Sequence, residues 1–183
     1  MLLALNRSTK HTDEMGLRDT LTTVHSCLAD AGVQHALIGA LGLASLGIHR
    51  ATTDVDLLVD GREKEIVKKA LLGNLWKLAM ETDEVLHFEG RGNVDFLLAH
   101  RPLSLEMIYS AKVGVLGMKC VSAEGIIGLK IQAYKNDPRR EFQDKADIRA
   151  LMEKYPEMNW DKVKIYADLF DEWPFIDSLR SRS

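Results

Sequence analysis

Only two cysteines, Cys27 and Cys120, occur in 183 residues. Lying so far apart, they form neither a disulfide framework nor a Cys-x-x-Cys metal or redox motif, and both are expected as buried thiols. Charge of one sign is also lacking. Lys and Arg number 24 against 27 Asp and Glu, a net charge of -3, which argues against a broad nucleic-acid or anionic-membrane surface while leaving room for a local basic groove. Long apolar runs are absent too. The longest mainly apolar stretch, Ala36 to Ile48, carries three glycines and falls short of the ~18–20 residues that cross a bilayer. The opening Met1-Leu-Leu-Ala-Leu5 has no basic flank and stops at Asn6-Arg7, so no secretion signal is expected and the Asn6-Arg7-Ser8 sequon is read as chance. The six histidines show no zinc spacing, and no internal repeat or low-complexity segment occurs. These absences predict a cytoplasmic protein without a membrane segment.

What is present is 46% hydrophobic residues, enough for one compact unit that buries about 70% of its unfolded surface. Leu17, Leu21, Val24 and Leu28 have helical spacing and end at Gly32. Ala36–Ile38 is a short strand broken by Gly39, Ala40–Leu46 a small-residue helix and Val55–Val59 the next strand. Asp60 with Glu63 starts a helix that closes at Gly73. Val85–Phe88 and Val94–Leu98 predict a hairpin through a glycine-rich turn, and Val113–Leu116 with Met118–Val121 a smaller one. From the N-cap candidate Ser122 the pattern is helical: about 122–135, 139–154 after Asp137-Pro138, and 160–170 after Asn159, with a mobile tail over Ser178–Ser183. The expected organisation is a mixed α/β (α+β) core over 1–121 and a helical region over 122–183.

The chemistry-bearing stretch runs from Gly39 to Val59. Residues two apart on a strand share a face, so Asp54 and Asp56 present two carboxylates side by side while Val55 and Leu57 point into the core. Such a pair repels itself unless a cation intervenes, and hard oxygen donors suit Mg²⁺ or Mn²⁺; the competing reading is a solvated strand end. Upstream, the strand ending at Gly39 hands over to a helix whose first N–H groups form a cradle for a triphosphate. Downstream, Asp95 is second in its strand and supplies a third carboxylate if that strand pairs beside the Asp54/Asp56 strand.

The run Gly39-Ala40, short helix, Gly47, Arg50-x-Thr52 and Asp54-x-Asp56 resembles the DNA polymerase β-type nucleotidyltransferase superfamily, most of all its minimal bacterial members and the AbiEii-type toxins of abortive-infection systems. Val121-Ser-Ala-Glu-Gly-Ile-Ile-Gly-Leu-Lys130, Arg139-Arg140 and Asp144-Lys-Ala-Asp147 are similar to the helical motifs of that subgroup. The resemblance spans about Ala36 to Leu151. It implies a small mixed twisted sheet with flanking helices, and two Mg²⁺ or Mn²⁺ ions held by Asp54, Asp56 and Asp95. It further implies backbone contacts from Gly39 and Ala40 to the phosphates of an NTP donor, and Lys130 reaching phosphate or base; Asp144, which matches a position that matters in toxin-like members, is grouped with these nucleotide-binding residues. Ala40 departs from the usual Gly or Ser, which removes a hydroxyl contact and leaves the backbone contacts. The implied activity is NMP transfer to a hydroxyl of RNA or tRNA, of a protein, or of a small molecule such as an aminoglycoside, with a toxin role and an antitoxin partner among the expectations. A nucleotide-binding or regulatory protein of the same fold without turnover is the alternative.

Arg50, on the turn before the acid pair, is expected to hold Asp54 or to meet phosphate. Lys130, Lys135, Arg139, Arg140, Lys145 and Arg149 make either a basic acceptor groove or, with Asp137, Glu141, Asp144 and Asp147 among them, a solvated helix face. A Rossmann site is disfavoured because Gly39-x-x-Gly42 is not G-x-G-x-x-G and two acids, not one, open the strand.

Overall fold

The computed structural model describes residues 16–114 and 116–181. The N-terminal apolar run and its sequon lie outside them. A seven-stranded mixed sheet has the order β3-β4-β5-β2-β1-β7-β6, formed by β1 (His35–Leu37), β2 (Asp54–Asp60), β3 (Lys77–Glu81), β4 (Val85–Glu89), β5 (Asn93–Ala99), β6 (Lys112–Val113) and β7 (Lys119–Cys120). The flanking helices are α1 (Leu17–Asp30), α2 (Gly39–Ser45), α3 (Lys64–Leu72), α4 (Pro102–Tyr109), α5 (Ala123–Asn136), α6 (Glu141–Lys154), α7 (Trp160–Asp168) and α8 (Trp173–Arg180).

The expected elements form where local chemistry dictates them. Asp60 accepts from the Arg62 backbone N–H at 2.9 Å and opens a 3-10 turn ahead of α3. Ser122 and Asn159 cap α5 and α7 through the N–H groups of Gly125 and Lys162. Three features differ from expectation. Strand β3 reads exposed at four of its five positions, so it carries no alternation to signal it, and it forms by pairing with β4 at the sheet edge. Helix α4 begins at Pro102, which suits a first helical turn because proline lacks the N–H that would be orphaned there. Residues 178–180 continue α8 rather than a tail, because Ile176 is fully buried and anchors the helix.

Strand β2 is flanked on one side by β1, antiparallel, and on the other by β5, parallel. Its Val55, Leu57 and Val59 are fully buried, while Asp54, Asp56 and Leu58 face the other way. Helices α5 and α7 lie over that second face, and one buried apolar cluster joins the sheet to Ile126, Ile127, Ile131, Val163 and Ile176 of the helical region. Cys120 is buried, which pushes its thiol up to about 11, whereas Cys27 is only half-buried, a departure from the expected pair of buried thiols. No helix among the described residues is long and apolar enough to cross a membrane.

Candidate active site

The parallel pairing of β2 with β5 sets Asp56 opposite Asp95 and Asp54 opposite Asn93, and the antiparallel pairing of β4 with β5 sets His87 opposite Asp95. A row His87–Asp95–Asp56 therefore crosses three neighbouring strands on one face. At the end of this row β1 passes into α2. Gly39 adopts φ +58°, and a Cβ built there would sit 2.0 Å from Asp56 Oδ2, so only glycine lets the backbone come this close to the carboxylate. The N-cap of α2 is Ile38, which offers no side-chain acceptor to the first N–H groups of the helix. Ala40, next in line, is 1% exposed.

A cavity of about 240 Å³ opens over the row, lined by Gly39, Asp56, Asp95, Leu97, Lys130 and Arg140 among others. Burial, together with the charges of Asp95 and Asp54, pushes the Asp56 carboxyl up to about 6, against a smaller opposing pull from Arg140 and Arg50. Asp95 Oδ1 shares a short hydrogen bond with His87 Nδ1, and this bond raises the histidine pKa. Asp54 Oδ1 accepts from Asn93 Nδ2 at 3.1 Å and from Thr53 Oγ1 at 3.0 Å. No group of three or more His, Cys, Asp or Glu side chains among the described residues is already gathered as a metal-holding set.

The cations are placed differently from the sequence expectation. Lys130 is buried at the cavity wall, and its ammonium donates to Asp144 Oδ1 at 3.0 Å and to Asp147 Oδ2. An ammonium with so little access to water requires anionic partners, and α6 supplies two, one turn apart. Asp144, expected among the nucleotide-binding residues, also accepts from Arg140 Nε at 3.1 Å. Arg50 lies 3.6 Å from Asp147, so it supports this buried cluster and not Asp54 as expected. Arg140, half-exposed and lining the cavity, is the cation most open to a ligand there.

His87 was not singled out by sequence. Alternation in β4 puts it on a definite face, but its meeting with Asp95 depends on the β4/β5 register, which a turn of uncertain length left open.

No family model matches the sequence, and no curated protein matches it. Solved structures do. The solution structure of the antibiotic-resistance factor ANT(2'')-Ia superposes with a TM-score of 0.63 at 16% identity, covering 91% of this chain and 97% of that one. The crystal structure of ANT(2")-Ia with adenylyl-2"-tobramycin also gives 0.63, at 17% identity over 84% and 96%. An antigenic nucleotidyltransferase-like protein from Paracoccidioides brasiliensis gives 0.55, at 18% identity over 93% of both chains. The chain thus has the polymerase-β-type nucleotidyltransferase fold.

Proposed function

We propose that the chain is a divalent-metal-dependent nucleotidyltransferase that moves NMP from an NTP to a hydroxyl of a small-molecule acceptor. The observation that carries this reading is the Asp56–Asp95 register beside Gly39: two carboxylates from parallel strands and an uncapped helix start meet at one cavity, with Asp54 two residues before Asp56 on the same face of β2. The donor set suits Mg²⁺ or Mn²⁺ in kind, being carboxylate oxygens, with Asp56 held above the usual carboxylate range first by burial and then by repulsion from Asp95 and Asp54. Asp54, Asp56 and Asp95 would hold the ions, two of them in the full arrangement. Bound there, the metal supplies charge neutralisation for the triphosphate and a lowered pKa for the acceptor hydroxyl. Gly39 and Ala40 offer backbone N–H groups to phosphate, and Arg140 adds a cation at the cavity wall. His87 holds one oxygen of Asp95 and so fixes the direction of the other. Lys130 and Asp144 support the α5–α6 side of the cavity from within the buried ion cluster.

A small-molecule acceptor is favoured over RNA by the state of the six basic residues on the helical region. Lys130, Lys135, Arg139, Arg140, Lys145 and Arg149 each pair with an acid, respectively Asp144, Glu172, Asp137, Asp144, Glu141 and Glu153; Lys130 is buried and the other five lie toward solvent in ion pairs, which is not a free phosphate-binding groove. ANT(2")-Ia carries an adenylylated aminoglycoside, which supports small-molecule transfer by analogy of fold. The AbiEii-type toxin role and its antitoxin are needed to explain no feature of the site and form no part of this reading.

The test is binding and turnover of each labelled NTP after treatment with a chelator, with Mg²⁺ or Mn²⁺ then restored. Nucleotide binding and pyrophosphate release that vanish with chelation and return with metal are expected; release indifferent to metal contradicts the proposal.

A further inference from the structure

The carboxylate cavity does not end at Asp95. Two residues further along β5, Leu97 lines both it and a second cavity of about 530 Å³, and Leu129 of α5 does the same from the opposite wall. Two residues of strand advance ~7 Å, so a molecule seated over Leu97 brings a substituent beside Asp95. The second cavity is walled by Leu98 of β5, Leu103 and Met107 of α4, and Leu169 and Phe170 beyond α7. Leu169 is 61% exposed at its edge, an apolar side chain that the fold itself leaves uncovered. The lining offers one carboxylate, Glu84, one guanidinium, Arg101, and one imidazole, His100, with Ser104, Gln132 and Tyr166 as its neutral polar groups. A polycation entering here would lose its hydration and find a single acid in exchange, and a polyanion would meet leucine where it needs cations. The volume lies within the range of small-ligand sites, ~300–1,000 Å³.

Building on the nucleotidyl-transfer reading above, we propose that this apolar cavity is the acceptor subsite. Its acceptor is a neutral or singly charged small molecule with an aliphatic or aromatic body that carries its reacting hydroxyl toward Asp95. In the transfer the acceptor oxygen bonds to the α-phosphorus of the NTP, the bond from that phosphorus to the bridging oxygen breaks, and pyrophosphate leaves with the electron pair. The hydroxyl proton passes to water, and Asp95 lines the smaller cavity next to the wall that Leu97 and Leu129 share. Specificity then comes from the body of the acceptor and reactivity from its position.

The experiment measures pyrophosphate release from metal-loaded full-length protein with chloramphenicol and lincomycin as apolar-bodied acceptors and with tobramycin and total tRNA as the polycationic and polyanionic ones, while labelled NTP binding is followed separately. Saturable release with a member of the first pair and background with the second is expected. Leu169→Glu, at a position exposed enough to tolerate charge, should raise the acceptor KM about tenfold and leave NTP binding within a factor of two. Transfer to tobramycin or tRNA, no transfer to either apolar-bodied acceptor, or a Leu169→Glu KM equal to wild type overturns the subsite while Asp56-dependent NTP binding leaves the nucleotidyltransferase standing. Absence of metal-dependent NTP binding removes both.

Discussion

Asp56 has an upward-shifted pKa because burial and two like charges oppose its ionisation. A carboxyl titrating near 6 in the fold and near 3.8 unfolded contributes no penalty below pH 3.8; the native state then loses stability as pH rises to about 6, and the loss is constant above that. Asp56→Asn is therefore expected to be more stable than wild type by roughly 2–3 kcal/mol at pH 7.5 in the presence of a chelator, and equal to it at pH 3.5. Urea unfolding at the two pH values checks this, and an unchanged or lower stability at pH 7.5 would contradict it. Lys130 behaves in the opposite way. Its removal leaves Asp144 and Asp147 buried, both under one-tenth exposed, with one ion-pair partner fewer, so Lys130→Met should lower stability by about 3–5 kcal/mol in the same measurement. Sequence could show the two acids of β2, since strand periodicity alone puts them on one face. It could not show that Lys130, at the cavity wall, is paired with Asp144 and Asp147, because those partners, 14 and 17 residues on, are brought to it by the packing of α5 on α6.

At the scale of elements, the junction of β1 and α2 positions the site. Gly39 closes the strand in a left-handed conformation and lies against Asp56, so Gly39→Ala meets both a backbone penalty of about 1 kcal/mol and a contact that forces Asp56 or the helix start to move. At least a tenfold loss of transfer with retained secondary structure is expected, read by pyrophosphate release and circular dichroism; wild-type turnover would separate Gly39 from the site. Elements with their own start and stop chemistry were legible: α3 from Asp60, α5 from Ser122, α7 from Asn159. Strand β3 and helix α8 were not, since an edge strand without alternation and a short helix held by Ile176 draw their stability from neighbours that sequence does not display.

For the whole molecule, the sheet and the helical region share one apolar core, with Ile126, Ile127 and Ile131 of α5 fully or almost fully buried against it. A fragment of residues 1–121 would expose the face that carries Leu58 and Leu97. It is expected to lack a cooperative thermal transition, and a sharp transition in the fragment would mark the sheet core as self-sufficient. The parallel β2–β5 pair brings Asp56 and Asp95 together across 38 intervening residues, a proximity that sequence suggested as a condition and only topology supplies.

These carboxylates carry the proposed chemistry, and Asp56→Asn tests that role with a variant expected to be better folded than the parent. Each labelled NTP is incubated with wild type and with Asp56→Asn, metal and acceptor panel present, and transferred label is counted beside the unfolding midpoint. Label on an acceptor with wild type alone, against a variant of higher midpoint, is the predicted result; equal label in both would contradict it.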